Sequence, residues 1–105
     1  MDLRVTTKIQ KEYFKKTRRS RDLYKRSLSC FPGGISHNIR HFEPYPFYTK
    51  SAKGKLLRDV DGNEFTDYWM GHWALILGHS PQNVSLALSK QVKNGTLYGT
   101  VNSLS

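Results

Sequence analysis

The stretch "KLLRDVDGNEFTD", Lys55–Asp67, decides the fold, because it reads as a hairpin whose register can be derived. With Asp61-Gly62 as a two-residue loop, Asp59 would face Glu64 and Leu56 would face Asp67, setting like charges and mismatched polarity across the ladder. With Val60-Asp61-Gly62 as a type I turn closed by a glycine bulge, the pairs become Arg58–Glu64, Leu57–Phe65 and Lys55–Asp67. That register matches opposite charges and apolar partners, each worth roughly 0.2–1 kcal/mol. It also places Asp59 and Gly62 where such a turn prefers them. The sequence therefore predicts the three-residue turn. "FYTKS", Phe47–Ser51, reads as a further antiparallel strand, turned at Lys53-Gly54.

Working outward, the C-terminal side carries a helix with clear punctuation. Ser80 is the N-cap candidate and Pro81 suits the first helical position, where its missing N–H is no loss. Val84, Ala87, Leu88, Gln91 and Val92 form one stripe, Lys90 and Lys93 sit near the negative end, and Gly95 is the expected stop. On the N-terminal side, residues 8–30 read as one irregular helix. Ile9, Tyr13 and Phe14 share a face, and Leu23, Tyr24, Leu28 and Phe31 resume it. Between them "KKTRRSRD" has no apolar anchor, so that turn must meet water or an acidic partner. Pro32 and Gly33-Gly34 end the helix, and "PGGISHNIRHFEPYPFY" reads as a loop that Pro44 and Pro46 keep extended. The fold class expected is α+β: an N-terminal helix, a small antiparallel β-meander and a C-terminal helix.

Charge is unevenly placed. Of the formal net charge of +9, residues 1–26 supply ten basic side chains against three acidic ones, and the remainder is nearly balanced. The division expected is a basic arm over 1–22 and a partial domain over 23–105. At 105 residues the chain suffices for one small domain, burying roughly 65% of its unfolded surface. The lone Cys30 permits no internal disulfide, so a cytoplasmic location is the default. Tyr68–Ser89 is uncharged and long enough to cross a bilayer, but Gly71, His72, Gly78, His79, Pro81, Gln82 and Asn83 interrupt it, which argues against a membrane span.

Taken together, "CFPGGISHNIRHF" (30–42), "AKGKLLRDVDGNEFTDY" (52–68), "MGHWALILGHSPQNV" (70–84) and "KNGTLYGT" (93–100) resemble class III pyridoxal-phosphate aminotransferases. Within that group they look most like the glutamate-1-semialdehyde aminomutase branch. The likeness runs from about Leu23 onward in one register. It implies the N-terminal part of a fold-type I enzyme, dimeric, with pyridoxal 5'-phosphate as cofactor and an amino acid or amino-aldehyde as substrate. It also implies that the Schiff-base lysine, the aspartate on the pyridine nitrogen and the phosphate loop lie outside these residues. No catalytic or cofactor-binding residue is therefore assigned here, and the chain alone is expected to be inactive.

Two substrate-side residues carry over from the resemblance. Arg40 matches the arginine that grips the substrate carboxylate, a task suited to a planar guanidinium that donates two parallel hydrogen bonds. The aminomutase pattern has Ser-Pro-Val before that arginine, where this chain has His37-Asn38-Ile39, so a plain aminotransferase stays open beside an aminomutase. His72, with Gly71 and Trp73, matches a segment along the active-site entrance. Many relatives have glycine where Trp73 stands, so its indole would narrow the pocket. Tyr98-Gly99 matches a stretch near the neighbouring subunit's site and receives no role.

Other readings weigh against these. Arg40 could be a surface arginine, and His72 and His79 are most simply hydrogen-bonded packing histidines, since their spacing fits no metal site. Gly33-Gly34 lacks the context of a phosphate loop, and Ser36 lacks a nucleophile elbow. The basic arm, interleaved with Tyr13, Phe14 and Tyr24, raises a nucleic-acid-binding protein as the rival function, weakened by the absence of a base-reading motif. An inactive truncated remnant is the third possibility. The apolar run 73–77, uncovered in a chain of this length, predicts self-association.

Overall fold

A computed structural model describes residues 3–103. Three helices and one three-stranded sheet follow the order α1 (Leu3–Lys16), α2 (Arg18–Ser27), β1 (Thr49–Lys53), β2 (Leu56–Asp59), β3 (Glu64–Thr66) and α3 (Gln82–Val92). Short 3₁₀ turns at Pro32–Gly34 and Asn38–Arg40 lie in the loop between α2 and β1. The α+β class expected from the sequence is the one observed.

The hairpin adopts the derived register, with Leu57 opposite Phe65 and Arg58 opposite Glu64. The Arg58 and Glu64 charges lie 3.7 Å apart. Gly62 takes φ +91, which a side chain would strain, and its N–H donates to the Asp59 carbonyl at 3.3 Å. The Asp59 carboxylate is buried within the turn and accepts from the backbone N–H groups of Asp61 (2.9 Å) and Asn63 (2.7 Å). β1 lies two residues later than expected. Lys53 pairs with Leu56, so the chain reverses at Gly54-Lys55.

The single helix expected over 8–30 is two helices, broken at Thr17, whose φ of −126° and ψ of 44° leave the helical region. The physical reason is a set of contacts distant in sequence. The Thr17 hydroxyl donates to the Tyr13 carbonyl at 2.6 Å and lies 3.0 Å from the Tyr45 hydroxyl, in a buried pocket. α2 then starts afresh, with the N-terminal N–H groups of Arg19 and Ser20 donating to Asp61 at 2.7 and 2.9 Å. The Ser20 hydroxyl adds a third bond to Asp61 at 2.7 Å. Asp61 of the hairpin turn is thus the acidic partner that the anchorless "KKTRRSRD" turn required. Burial pushes the Asp61 carboxyl up, but the Ser20 hydroxyl and the two backbone amides outweigh it and hold the group below its ordinary value.

Tyr45, 4% exposed, is the buried apolar centre among the described residues. The rings of Tyr13, Phe14 and Tyr24 lie 5.2, 5.8 and 6.2 Å from it. Burial, then the neighbouring Tyr45, pushes the Tyr13 hydroxyl up to about 12. The Tyr13 hydroxyl donates to the Tyr45 carbonyl at 2.8 Å. Phe47 stacks on Phe65 at 4.7 Å across the sheet. This core is small. The radius of gyration is 18.1 Å, against about 13 Å for a compact chain of this length.

α3 begins one residue later than expected. Pro81 is its N-cap, and Ser80 instead has φ +51 and donates its hydroxyl to the Ala52 carbonyl at 3.2 Å. Gly95, at φ +98, follows the helix end. The stripe containing Val84, Leu88 and Val92 forms as expected but is exposed along its length. No described helix is long and apolar enough to cross a membrane.

Candidate functional site

Two surfaces carry the expected site residues. The first is the turn around Arg40. His37 caps this turn, its ring Nδ1 accepting from the Ile39 N–H at 3.2 Å and its carbonyl from the Arg40 N–H at 2.9 Å. Arg40 is exposed, and its Nη1 donates to the Ser36 hydroxyl at 2.6 Å. The other guanidinium N–H groups meet no acceptor among the described residues. A guanidinium anchored at one nitrogen, with free N–H groups beside it, can receive a carboxylate.

The second surface is the segment 69–73. Met70, Gly71, His72 and Trp73 have φ of 47°, 58°, 60° and 62°, a complete turn of left-handed backbone. For the three non-glycine residues this costs roughly 1–2 kcal/mol apiece. The turn closes through Trp73 N–H to Trp69 carbonyl (2.8 Å) and Leu75 N–H to Met70 carbonyl (3.0 Å). His72 lies exposed on it, with its ring edge-on to Trp69 at 5.0 Å, and Trp69 and Trp73 rings are 4.8 Å apart. His72 is therefore not a packing histidine. No hydrogen bond, ion pair or ring contact joins it to Arg40.

His79 does have the hydrogen-bonded role, and its partner is one the sequence reading assigned elsewhere. The register derived from the sequence sets Asp67 opposite Lys55 across the hairpin. The backbones do pair, Asp67 N–H donating to the Lys55 carbonyl at 2.8 Å. The carboxylate, however, turns to His79 Nε2 at 2.6 Å, with the two side chains only 8% and 17% exposed. Its other oxygen accepts from the Trp69 and Met70 N–H groups at 2.7 and 2.9 Å. The bond from His79, then that from Met70, holds the Asp67 carboxyl below its ordinary value. His79 is in turn fastened to Gly54 by a two-way backbone bridge of 2.8 and 2.9 Å. Gly78 must be glycine for that approach, since at φ +80 a Cβ would stand 3.0 Å from the Gly54 carbonyl oxygen. Aspartate favours accepting from the backbone N–H two or three residues ahead, and that local tendency is the signal for Asp67 in the sequence.

The fold defines a class before any name does. A structure described as a transaminase with PLP bound superposes on 83% of this chain with a TM-score of 0.79 and 34% identity, over 20% of its own length. A glutamate-1-semialdehyde aminomutase structure from Pseudomonas aeruginosa covers 97% of the chain at a TM-score of 0.80 and 23% identity, which supports the fold. The chain thus has the fold of one part of a fold-type I transaminase. In sequence it is 48% identical over 82 residues to the glutamate-1-semialdehyde 2,1-aminomutase of Archaeoglobus fulgidus. It is 49% identical over 81 residues to that of Methanocella arvoryzae. These matches cover 78% and 77% of the chain but 20% and 19% of the relatives. No family model matches the chain. It belongs, as a segment, to the glutamate-1-semialdehyde aminomutase branch of the class III transaminases, and spans about a fifth of the length of its curated relatives.

The family's coenzyme gives a test of fit. Every described lysine is exposed to solvent. Asp59, Asp61 and Asp67 are committed to backbone N–H groups, to Ser20 or to His79, which leaves none of the three to pair with a pyridine nitrogen. The residues of this segment do not by themselves fit pyridoxal phosphate. Among the described residues no three His, Cys, Asp or Glu side chains gather as a metal site.

Proposed function

We propose that this chain forms the substrate-side wall of a class III aminotransferase or aminomutase, with Arg40 receiving the carboxylate of an amino acid or amino-aldehyde and His72 standing at the rim. Catalysis and coenzyme binding belong to the part of the enzyme beyond this segment. The observation that carries the reading is Arg40 itself, set on a capped turn and anchored only at Nη1. Its exposed apolar neighbours further along the chain support a second role, as surface for the remainder of the enzyme and for a partner subunit in a homodimer. Ile76 is 89% exposed, and Leu97 and Val101 are each 93% exposed. The recognisable family segment is 23–105 and the basic stretch is 1–22. That division is one of ancestry rather than packing, because α2 straddles it and is capped by Asp61.

A chimera tests the proposal. Residues 23–105 replace the aligned segment of the Archaeoglobus fulgidus aminomutase, which is then assayed with pyridoxal phosphate. The chimera is expected to turn over a carboxylate-bearing amino substrate. Arg40→Ala should raise KM by roughly 10- to 100-fold, the loss of hydrogen bonds to a charged group, with a smaller change in kcat. An unchanged KM in that variant would remove Arg40 from the site.

A further inference from the structure

The strained rim needs an account of what holds it. Four successive residues from Met70 to Trp73 keep positive φ, and only one of them is glycine. The turn is open to solvent on its far side, where Trp73 is 70% exposed. A left-handed turn of this composition persists only if its surroundings over-determine it. The group placed to do so is one carboxylate. Asp67 takes the Trp69 and Met70 N–H groups on Oδ1, at the entry to the turn. Its Oδ2 is held by His79 Nε2, and His79 is itself fixed to the β1–β2 reversal through Gly54. The turn is thereby fastened to the sheet by way of Asp67.

We propose that Asp67 is the positioning residue of the rim. It holds the left-handed turn so that Trp69, His72 and Trp73 stand as one preformed aromatic wall on the substrate side, and the pair with His79 transmits the rigidity of the hairpin to that wall. The functional half of this inference rests on the reading of His72 as a rim residue. The geometric half does not, and it is the half tested here. Neither Asp67 nor His79 touches the substrate in this account; both act through the backbone of the turn.

The chain itself serves for the test. Two indoles 4.8 Å apart give an exciton couplet in far-ultraviolet circular dichroism, and Trp73→Phe identifies it by abolishing it. Asp67→Ala is expected to reduce the couplet several-fold. It should also speed hydrogen exchange of the Trp73 and Leu75 amides by about tenfold, as loss of a local support does. The Asp59 and Val60 amides, bonded to Asn63 and Tyr48 within the sheet region, should stay within about twofold of the parent. If Asp67→Ala unfolds the chain, the decision passes to Asp67→Asn, which keeps an acceptor for the turn but replaces the carboxylate oxygen that His79 holds. That variant should retain about half the couplet and exchange Trp73 roughly threefold faster. A couplet and Trp73 exchange unchanged in both folded variants would overturn the proposal. That result would leave the Arg40 reading intact, and an Arg40 failure in the chimera would leave the couplet as it is.

Discussion

Residues 13–66 and residues 67–103 are built on opposite plans. The first region closes its polar groups on one another: Thr17 with Tyr45, Asp61 with α2, Asp59 within its own turn, and Tyr48 with Ser27 at 2.9 Å. The second leaves apolar side chains outward, and its shape depends on a few polar fastenings, chiefly Asp67–His79 and the Tyr98 hydroxyl, which donates to the Asn94 carbonyl at 2.7 Å. The difference teaches where each region finds its partner. One is tied together by polar contacts within the chain, whereas the other leaves Trp73, Ile76, Leu97 and Val101 at least 70% exposed. Stability should therefore be concentrated in the first region and association in the second.

The sharpest way to break this comparison is at its two extremes. Tyr45→Ala should lower unfolding free energy by about 3–5 kcal/mol, as loss of a buried aromatic does, read by chemical denaturation. Ile76→Ser should stay within about 0.5 kcal/mol while reducing self-association in sedimentation. Equal costs for the two would void the contrast. Next in size is Gly78→Ala, which strains a positive φ and drives a Cβ against Gly54 backbone. It should cost about 2–3 kcal/mol and expose the Gly54 and His79 amides to exchange while the Asp59 amide stays protected. Asp61→Ala follows, at about 1–2 kcal/mol for a lost helix cap, with a drop in helical circular dichroism from α2.

Acid sharpens the contrast most gently. Asp61 and Asp67 both have carboxyls held below the ordinary value, one in each region. Their stabilisation is complete above the unfolded carboxylate pKa of about 4 and fades as pH falls through the lower folded values. Denaturation midpoints should be level from neutral pH down to that point and then decline. Asp67→Asn should flatten only the share of the decline reported by the Trp69–Trp73 pair.

The legible parts of the fold were those decided within a few residues. The hairpin register followed from Asp59, Gly62 and the charges on Arg58 and Glu64, because turn geometry and cross-strand pairing are short-range. The break at Thr17 was not legible, since it depends on Tyr45, and the cap that restarts α2 comes from Asp61. Ser80 has the side chain of an N-cap, yet the Ala52 carbonyl claims its hydroxyl. In the candidate site, Arg40 lies in the loop expected between α2 and β1, on a turn whose His37 cap was not foreseen. Asp67 was given to Lys55 because opposite charges faced each other in register. Its true partner is twelve positions on, brought close by a loop whose left-handed path no periodicity encodes.

The Val60–Gly62 turn has a practical bearing on protein engineering. A surface reversal between two short strands is the customary choice for an epitope tag or a fluorophore loop. Here its two aspartates are spent inward, Asp59 on the turn itself and Asp61 on the helix start. A label inserted there would unseat α2.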